Sequence, residues 1–277
     1  MTAPLTRIIV ASLTACTLAL PAIAQTPDVE ELFDLLQLPD IVEIMREEGV
    51  GYGESIGEDL FAGPASSEWV ATVDQIYDLD RMLAMVEQDF AASLDGDDIA
   101  AMTAFIGSEQ GQRIIGLEVS ARRALLDDAV EEASKEAAAI AATEETERYA
   151  QVRDFIESNN LIETNVAGAL NTNYAFYMGL MDGQAFGGAL TEEQVLSDVW
   201  SQEAEIRTNT TEWLYAFLLM AYQPLSDEDL LAYTSFSETD AGRELNRALF
   251  EGFDRLFEGI SRSLGRAAAN EMTSAEL

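Results

Sequence analysis

"AFIGSEQGQRI" (residues 104–114) and "SFSETDAGREL" (residues 235–245) both run Phe, five residues, Gly, and then an aliphatic residue three further on. In each, Phe105 or Phe236 follows an apolar residue three positions back, Met102 or Tyr233, at helical spacing. Ser108 and Thr239 are residue types that cap a helix N-terminus, and Glu109 and Asp240 follow where an acid complements the helix dipole. Glycine inside a helical turn costs about 1 kcal/mol relative to alanine. Gly111 and Gly242 therefore predict a helix-to-helix corner whose glycine admits a neighbouring helix closely.

Residues 94–114 laid over 225–245 without a gap share six identities in 21 columns, where composition alone gives about one or two. The same offset of 131 pairs Trp69 with Trp200. This predicts an internal duplication, with helical units at 26–158 and 159–277. Each copy opens with the makings of a capping box and hydrophobic staple: Ser226 with Asp229 and Leu225 with Leu230, then Asp95 with Asp98 and Leu94 with Ile99. A calcium loop from Asp95, Asp97 and Asp98 is the rival there. It lacks the alternating oxygen ligands and distant glutamate of an EF-hand.

No proline interrupts the 159 residues between Pro64 and Pro224, a stretch dominated by Ala, Leu and Glu without β-branched runs. The predicted fold class is all-α, a multi-helix bundle. Periodicity places helices at 28–37, 40–61, 66–93, 95–107, 109–142, 144–158, 161–182, 191–223, 226–238 and 240–270. Breaks fall at "LPD", "AGPASS", "SNN" and "GQAFGGAL".

Residues 1–24 have the form of a secretory signal: Arg7, the apolar "IIVASLTACTLAL", then "PAIA" ending on Ala24 as a small-x-small cleavage site. "LTAC" (13–16) offers a lipoprotein box with Cys16 as the acylated residue, although the residues after it are apolar where a polar tether is expected. Cleavage after Ala24 predicts a periplasmic protein without cysteine, held by its core rather than by disulfides. The longest apolar run beyond it, "AFLLMAY" (216–222), is too short to span a bilayer. Loss of Arg7 leaves 14 basic against 51 acidic residues, a formal charge of −37. Such a surface repels phosphates and anionic headgroups, which argues against nucleic acid and lipid partners and for basic or divalent ones.

The corner also carries a resemblance. A signal segment, an acid-capped helix and then Phe, Ser and "xGQR" resemble the bacterial periplasmic family called domain of unknown function 2059, through Ser108, Gly111, Gln112 and Arg113. Glu109 stands where that family's motif has proline, and the second copy keeps Thr239 and Gly242 alone. The resemblance implies an all-α bundle and brings no known activity.

The chain has no histidine, so Ser-His-Asp and Cys-His catalysis and His-ligated zinc are excluded. The one lysine, Lys135 in "EEASKEAAA", suits a helix surface. No cofactor is expected. Candidate binding residues emerge where the repeats differ. Leu245, Leu249, Phe253, Leu256, Ile260 and Leu264 form an apolar helical face, and the offset turns Leu249 and Phe253 into Glu118 and Arg122. Two readings follow, an i,i+4 ion pair rolled toward solvent, or a polar pocket between the halves. "YAFYMGLMDG" (174–183), rich in aromatics and methionine, reads as core packing with a ligand groove as its rival.

The expected function is an exported binding, accessory or chaperone-like module of the envelope, with another envelope protein or a second copy as partner. The alternative is a hydrolase working with carboxylates alone, such as a peptidoglycan-cleaving glycosidase. "MGLMDGQ" has a faint likeness to the Gly-Leu-Met-Gln turn of lytic transglycosylases, interrupted by Asp182 and Gly183.

Overall fold

The computed structural model describes residues 27–61, 66–96, 98–189 and 191–275. The signal segment with Cys16, and Asp97 of the calcium-loop reading, lie outside the described residues. The chain forms a multi-helix bundle with no strand among the described residues. In chain order the helices are α1 (Pro27–Leu35), α2 (Leu38–Leu60), α3 (Ser67–Ile76), α4 (Leu79–Ser93), α5 (Ile99–Ile106), α6 (Glu109–Ala124) and α7 (Asp128–Thr143). They continue as α8 (Glu147–Ser158), α9 (Leu161–Asp182), α10 (Glu192–Ser201), α11 (Glu203–Tyr222), α12 (Asp227–Ser237) and α13 (Asp240–Ala275).

Three of the long helices expected from periodicity are broken. The 66–93 stretch divides where Asp78 caps α4 by accepting from the Arg81 amide at 2.9 Å, while the Arg81 guanidinium donates to the Ile76 carbonyl left open at the end of α3. The 109–142 stretch divides where Asp127 accepts from the Ala129 amide at 2.9 Å and starts α7. The 191–223 stretch kinks at Gln202, which ends α10 and begins α11. Aspartate competes with the helix by bonding nearby amides, a preference that hydrophobic period does not register.

Both corners have the same local construction. Ser108 Oγ accepts from the Gly111 amide, and Thr239 Oγ1 from the Gly242 amide, each at 3.0 Å. Each hydroxyl donates in turn to the carbonyl of the preceding Phe at 2.6 Å. The glycine's steric role differs from the expectation. A Cβ on Gly111 would lie 2.5 Å from the Ile106 carbonyl oxygen, and one on Gly242 would lie 2.6 Å from the Ser237 Cα. The close neighbour is the end of the chain's own preceding helix, not another helix.

The two corners also meet. Phe105 and Phe236 stack with centroids 4.1 Å apart and planes 2° from parallel. Around them the matching positions 113 and 244 each reach the segment just before the other unit's short helix, though their partners are two positions out of register. Arg113 donates to the Pro224 carbonyl at 2.8 Å before α12, and Glu244, at the matching position, accepts from the Asp95 amide at 2.6 Å before α5. Gln112 ties in α1 by donating to the Leu35 carbonyl at 2.8 Å. The "GQR" residues thus hold helices together.

Elsewhere the matching positions have diverged. Ser226 caps α12, accepting from the Asp229 amide at 3.1 Å, whereas α5 starts later than the matching Asp95, behind Asp98 and without a side-chain cap among the described residues. Trp69 is buried and donates to the Gly53 carbonyl at 2.8 Å, whereas Trp200 is 65% exposed.

The bundle has two apolar clusters. One joins α1 to α6 with α13 and the end of α9, around Leu32, Trp69, Phe90, Met102 and Leu256. The other joins α6, α8, α11 and α12 around Ile114, Val152, Phe155, Leu214 and Tyr222. Each draws on residues from both expected units. The 36-residue α13, roughly 54 Å long at 1.5 Å per residue, crosses α9 at a glycine contact. A Cβ on Gly179 would lie 2.9 Å from the Arg266 amide nitrogen, and one on Gly265 would lie 3.0 Å from the Gly179 Cα. Phe176 and Tyr177 pack on the first cluster beside this crossing, so "YAFYMGLMDG" is a packing segment. Asp182 closes the crossing, its carboxylate held down to about 2 by bonds from Arg262 and Arg266.

If the corner glycines are steric, Gly111→Ala will cost about 1 to 3 kcal/mol by forcing the two helix ends apart. Gly116→Ala on the same helix, where a Cβ would meet nothing within 4 Å, will instead stabilise by about 0.5 to 1 kcal/mol. Urea melts of the two variants with the opposite ranking would contradict the corner account.

Candidate functional site

Each long helix leaving a corner brings its seventh and eleventh residues after the glycine to one place. On α6 these are Glu118 and Arg122; on α13 they are Leu249 and Phe253. All four line a cavity of about 1010 Å³. Its remaining walls come from α2, α7, α8, α9, α11 and α12, and Tyr52, Asn209 and Glu212 stand exposed at its rim. The structure therefore brings both residues singled out from the sequence to the same surface, but joins neither to the other: no ion pair links them among the described residues.

Glu118 accepts a hydrogen bond from the Tyr222 hydroxyl at 2.6 Å, and the Tyr233 hydroxyl stands near enough to the same carboxylate to act on it. Tyr222 is fully buried. Burial, which disfavours the charged form, outweighs the two hydroxyls and raises Glu118 from an ordinary 4.5 to about 7. Burial and the neighbouring Glu118 charge push the two tyrosines well above their usual range. Arg122 turns the other way. Its guanidinium pairs with Glu48 of α2 at 2.5 Å and lies 4.6 Å from the centroid of Trp213, a cation–π contact, while its Nε is buried without a partner. The solvated i,i+4 pair is not what forms.

Much of the apolar wall is aromatic, with Phe155, Trp213, Phe217, Phe250, Phe253 and Phe257, and aliphatic side chains such as Leu214, Leu218 and Leu249 complete it. The polar part is mostly acceptor. Asn159, Asn165, Asn173 and Asn246 line the cavity, and each donates an amide N–H to the protein: to Ser237 Oγ at 3.0 Å, the Leu161 carbonyl at 2.8 Å, Gln202 Oε1 at 3.0 Å and the Asn159 carbonyl at 3.2 Å respectively. Their carbonyl oxygens are left for whatever enters. Lys135, on the α7 wall, is bound by Glu131 at 2.6 Å and Glu132 at 3.1 Å. Asp254 on α13 lies against Gly168 of α9, where a Cβ would come within 2.7 Å of its Oδ1. Burial and the like charges of Glu258 and Glu251 raise its carboxyl, and no described residue pairs with it.

Reading the sequence missed the asparagines and Asp254. The α9 asparagines had a partial signal, Asn165, Thr172 and Asn173 recurring at seven and eight residues on one face, but Asn159 and Asn246 come from other segments and had none. Asp254 had none, being one of 51 acids. No group of three or more His, Cys, Asp or Glu side chains among the described residues could hold a metal ion. No helix among them is long and apolar enough to cross a membrane. No protein-family model matches the chain, and none of the curated proteins or solved structures compared with it matches either.

The Glu118 environment fixes a sign for its pH dependence. The folded state holds this proton more tightly than the unfolded chain, so the site carries no penalty below about 4.5, loses stability as pH rises to about 7, and stays at that cost above it. Glu118→Gln cannot ionise. Relative to wild type it will gain stability between pH 4.5 and 8, by about 1 to 3 kcal/mol. A difference between the two melting curves that does not change with pH would contradict the buried proton.

Proposed function

We propose that this protein is an exported, periplasmic, non-enzymatic binding protein of the cell envelope whose ligand occupies the cavity between α6 and α13. The observation that carries this reading is the cavity itself. At about 1010 Å³ it is at the upper end of small-molecule sites, and aromatic faces with a few fixed polar groups are the usual make-up of such sites. The signal-like amino terminus and the acidic surface support export. Descent of the two halves from one duplicated unit, and kinship with domain of unknown function 2059, belong to the same proposal. The contacts between the two corners support the first, and the corner motif the second.

An accessory role toward a protein partner or a second copy has its support in Leu196 and Trp200, exposed one turn apart on α10. The carboxylate-hydrolase reading has one specific observation in its favour: Glu118 on α6 holds its proton near neutrality and lines the same cavity as Asp254 on α13, an acid and a second carboxylate in one site. The likeness of "MGLMDGQ" to a transglycosylase turn adds nothing, because Asp182 is engaged by Arg262 and Arg266.

Protein isolated from its own envelope fraction without denaturation will carry a small molecule detectable by native mass spectrometry, and Ala169→Trp, which fills the cavity, will not. Equal occupancy in the two would refute the cavity as the binding site. Cleavage of peptidoglycan fragments that Glu118→Gln abolishes would replace the binding reading with the hydrolase.

A further inference from the structure

Resting on the proposed binding role, we infer that the cavity selects an amphiphilic organic cation, with an ammonium group held at Asp254 and an extended apolar body lying along the aromatic wall.

The charge inventory narrows the ligand first. Among the described residues every arginine and lysine except Arg81 is already within ion-pair distance of a carboxylate, and Arg81 donates to the Gln75 and Ile76 carbonyls. The two cations in the wall, Arg122 and Lys135, are taken up by Glu48, Glu131 and Glu132. An anionic head would therefore enter a wall that also holds Glu118, Glu212 and Asp254, where both cations are already charge-paired and the one open donor of Arg122, its Nε, is buried out of reach. Desolvating an anion beside carboxylates is disfavoured on both counts.

Asp254 then locates the positive group. The charged neighbours that act on it are Glu251 and Glu258, both of its own sign, and it faces α9 at Gly168, where the absence of a side chain leaves the carboxylate room. A carboxylate placed among acids is relieved by a cation, and in this cavity that cation must come with the ligand. Phe250, Phe253 and Phe257 lie on the same face of α13, three or four residues from Asp254 or next to it. Aromatic rings around a carboxylate are the surroundings that favour an ammonium ion, through ring faces and charge together. The carbonyl oxygens of Asn165, Asn173 and Asn246 add acceptors that suit the hydrogens of an ammonium head. A neutral sugar shares the donors and the aromatic contact, but it leaves Asp254 without a counter-charge.

Phenylbutylamine, phenylbutanol and phenylbutyrate share an apolar body and differ in head charge, and calorimetric titration of each into the whole protein tests the selection. The amine is expected to bind at least about tenfold more tightly than the alcohol, and the acid least of all. Asp254→Asn, whose folding is checked by its melting curve, is expected to remove that preference while leaving the alcohol unchanged. The ranking on wild type stands as a test even if the variant does not fold. Equal affinity for amine and alcohol, with Asp254→Asn silent, would overturn the cation and leave the binding role standing. Tightest binding of phenylbutyrate, or of the neutral disaccharide diacetylchitobiose, would overturn it too. Binding of none of them, with Ala169→Trp matching wild type in what it carries, would sink the binding role as well.

Discussion

The contact on which the rest of the molecule depends is the face-to-face stack of Phe105 on Phe236 between two glycine corners. Each corner turns a short helix into a long one within a few residues, and a glycine is required because the new helix starts against the carbonyls of the old. Fixing the two corners against each other fixes the origins of α6 and α13. Seven and eleven residues later, about two and three turns along each helix, the chain has placed an acid and a base on one side of a cavity and a leucine and a phenylalanine on the other. One local steric rule, used twice, therefore sets the position of a site whose two sides differ in character. The α9–α13 glycine crossing then holds another wall in place without occupying the space.

The electrostatics of the cavity follow from the composition of the chain. With 51 acids and few cations, almost every arginine is spent on holding helices to one another, as Arg113 does at α12 and Arg262 and Arg266 do at Asp182. Little positive charge is left for a ligand. Glu118 meets this by keeping its proton near neutrality under two tyrosine hydroxyls, and Asp254 by standing where a ligand can reach it. Surface ion pairs add little to stability singly. Their consequence here is for what the cavity accepts.

The all-α class and most helix positions were legible from the missing prolines and the apolar period, because both follow from the local chain. The corner was legible for the same reason: Ser108 with Gly111 and Thr239 with Gly242 are local patterns with local causes. The breaks at Asp78 and Asp127 were not, because the apolar period runs through them and a single capping side chain decides against it, and the kink at Gln202 forms without any side-chain cap to announce it. Glu118 and Arg122 were found by their departure from the second copy, yet their partners were invisible: Tyr222 is 104 positions from Glu118, and Glu48 is 74 from Arg122. The glycine's neighbour was misassigned because sequence shows that space is needed but not what fills it. Asp254 became distinguishable only when its neighbours did.

A high-resolution crystal structure of the protein isolated in folded form from its own envelope fraction tests the central claim most directly, since it views the corners and the cavity together. The account predicts Phe105 stacked on Phe236, an open space between Glu118 and Asp254, and continuous non-protein density running along Trp213 and Phe253. Corners that are separated, or a cavity closed by Phe253 and Trp213 in mutual contact, would contradict it.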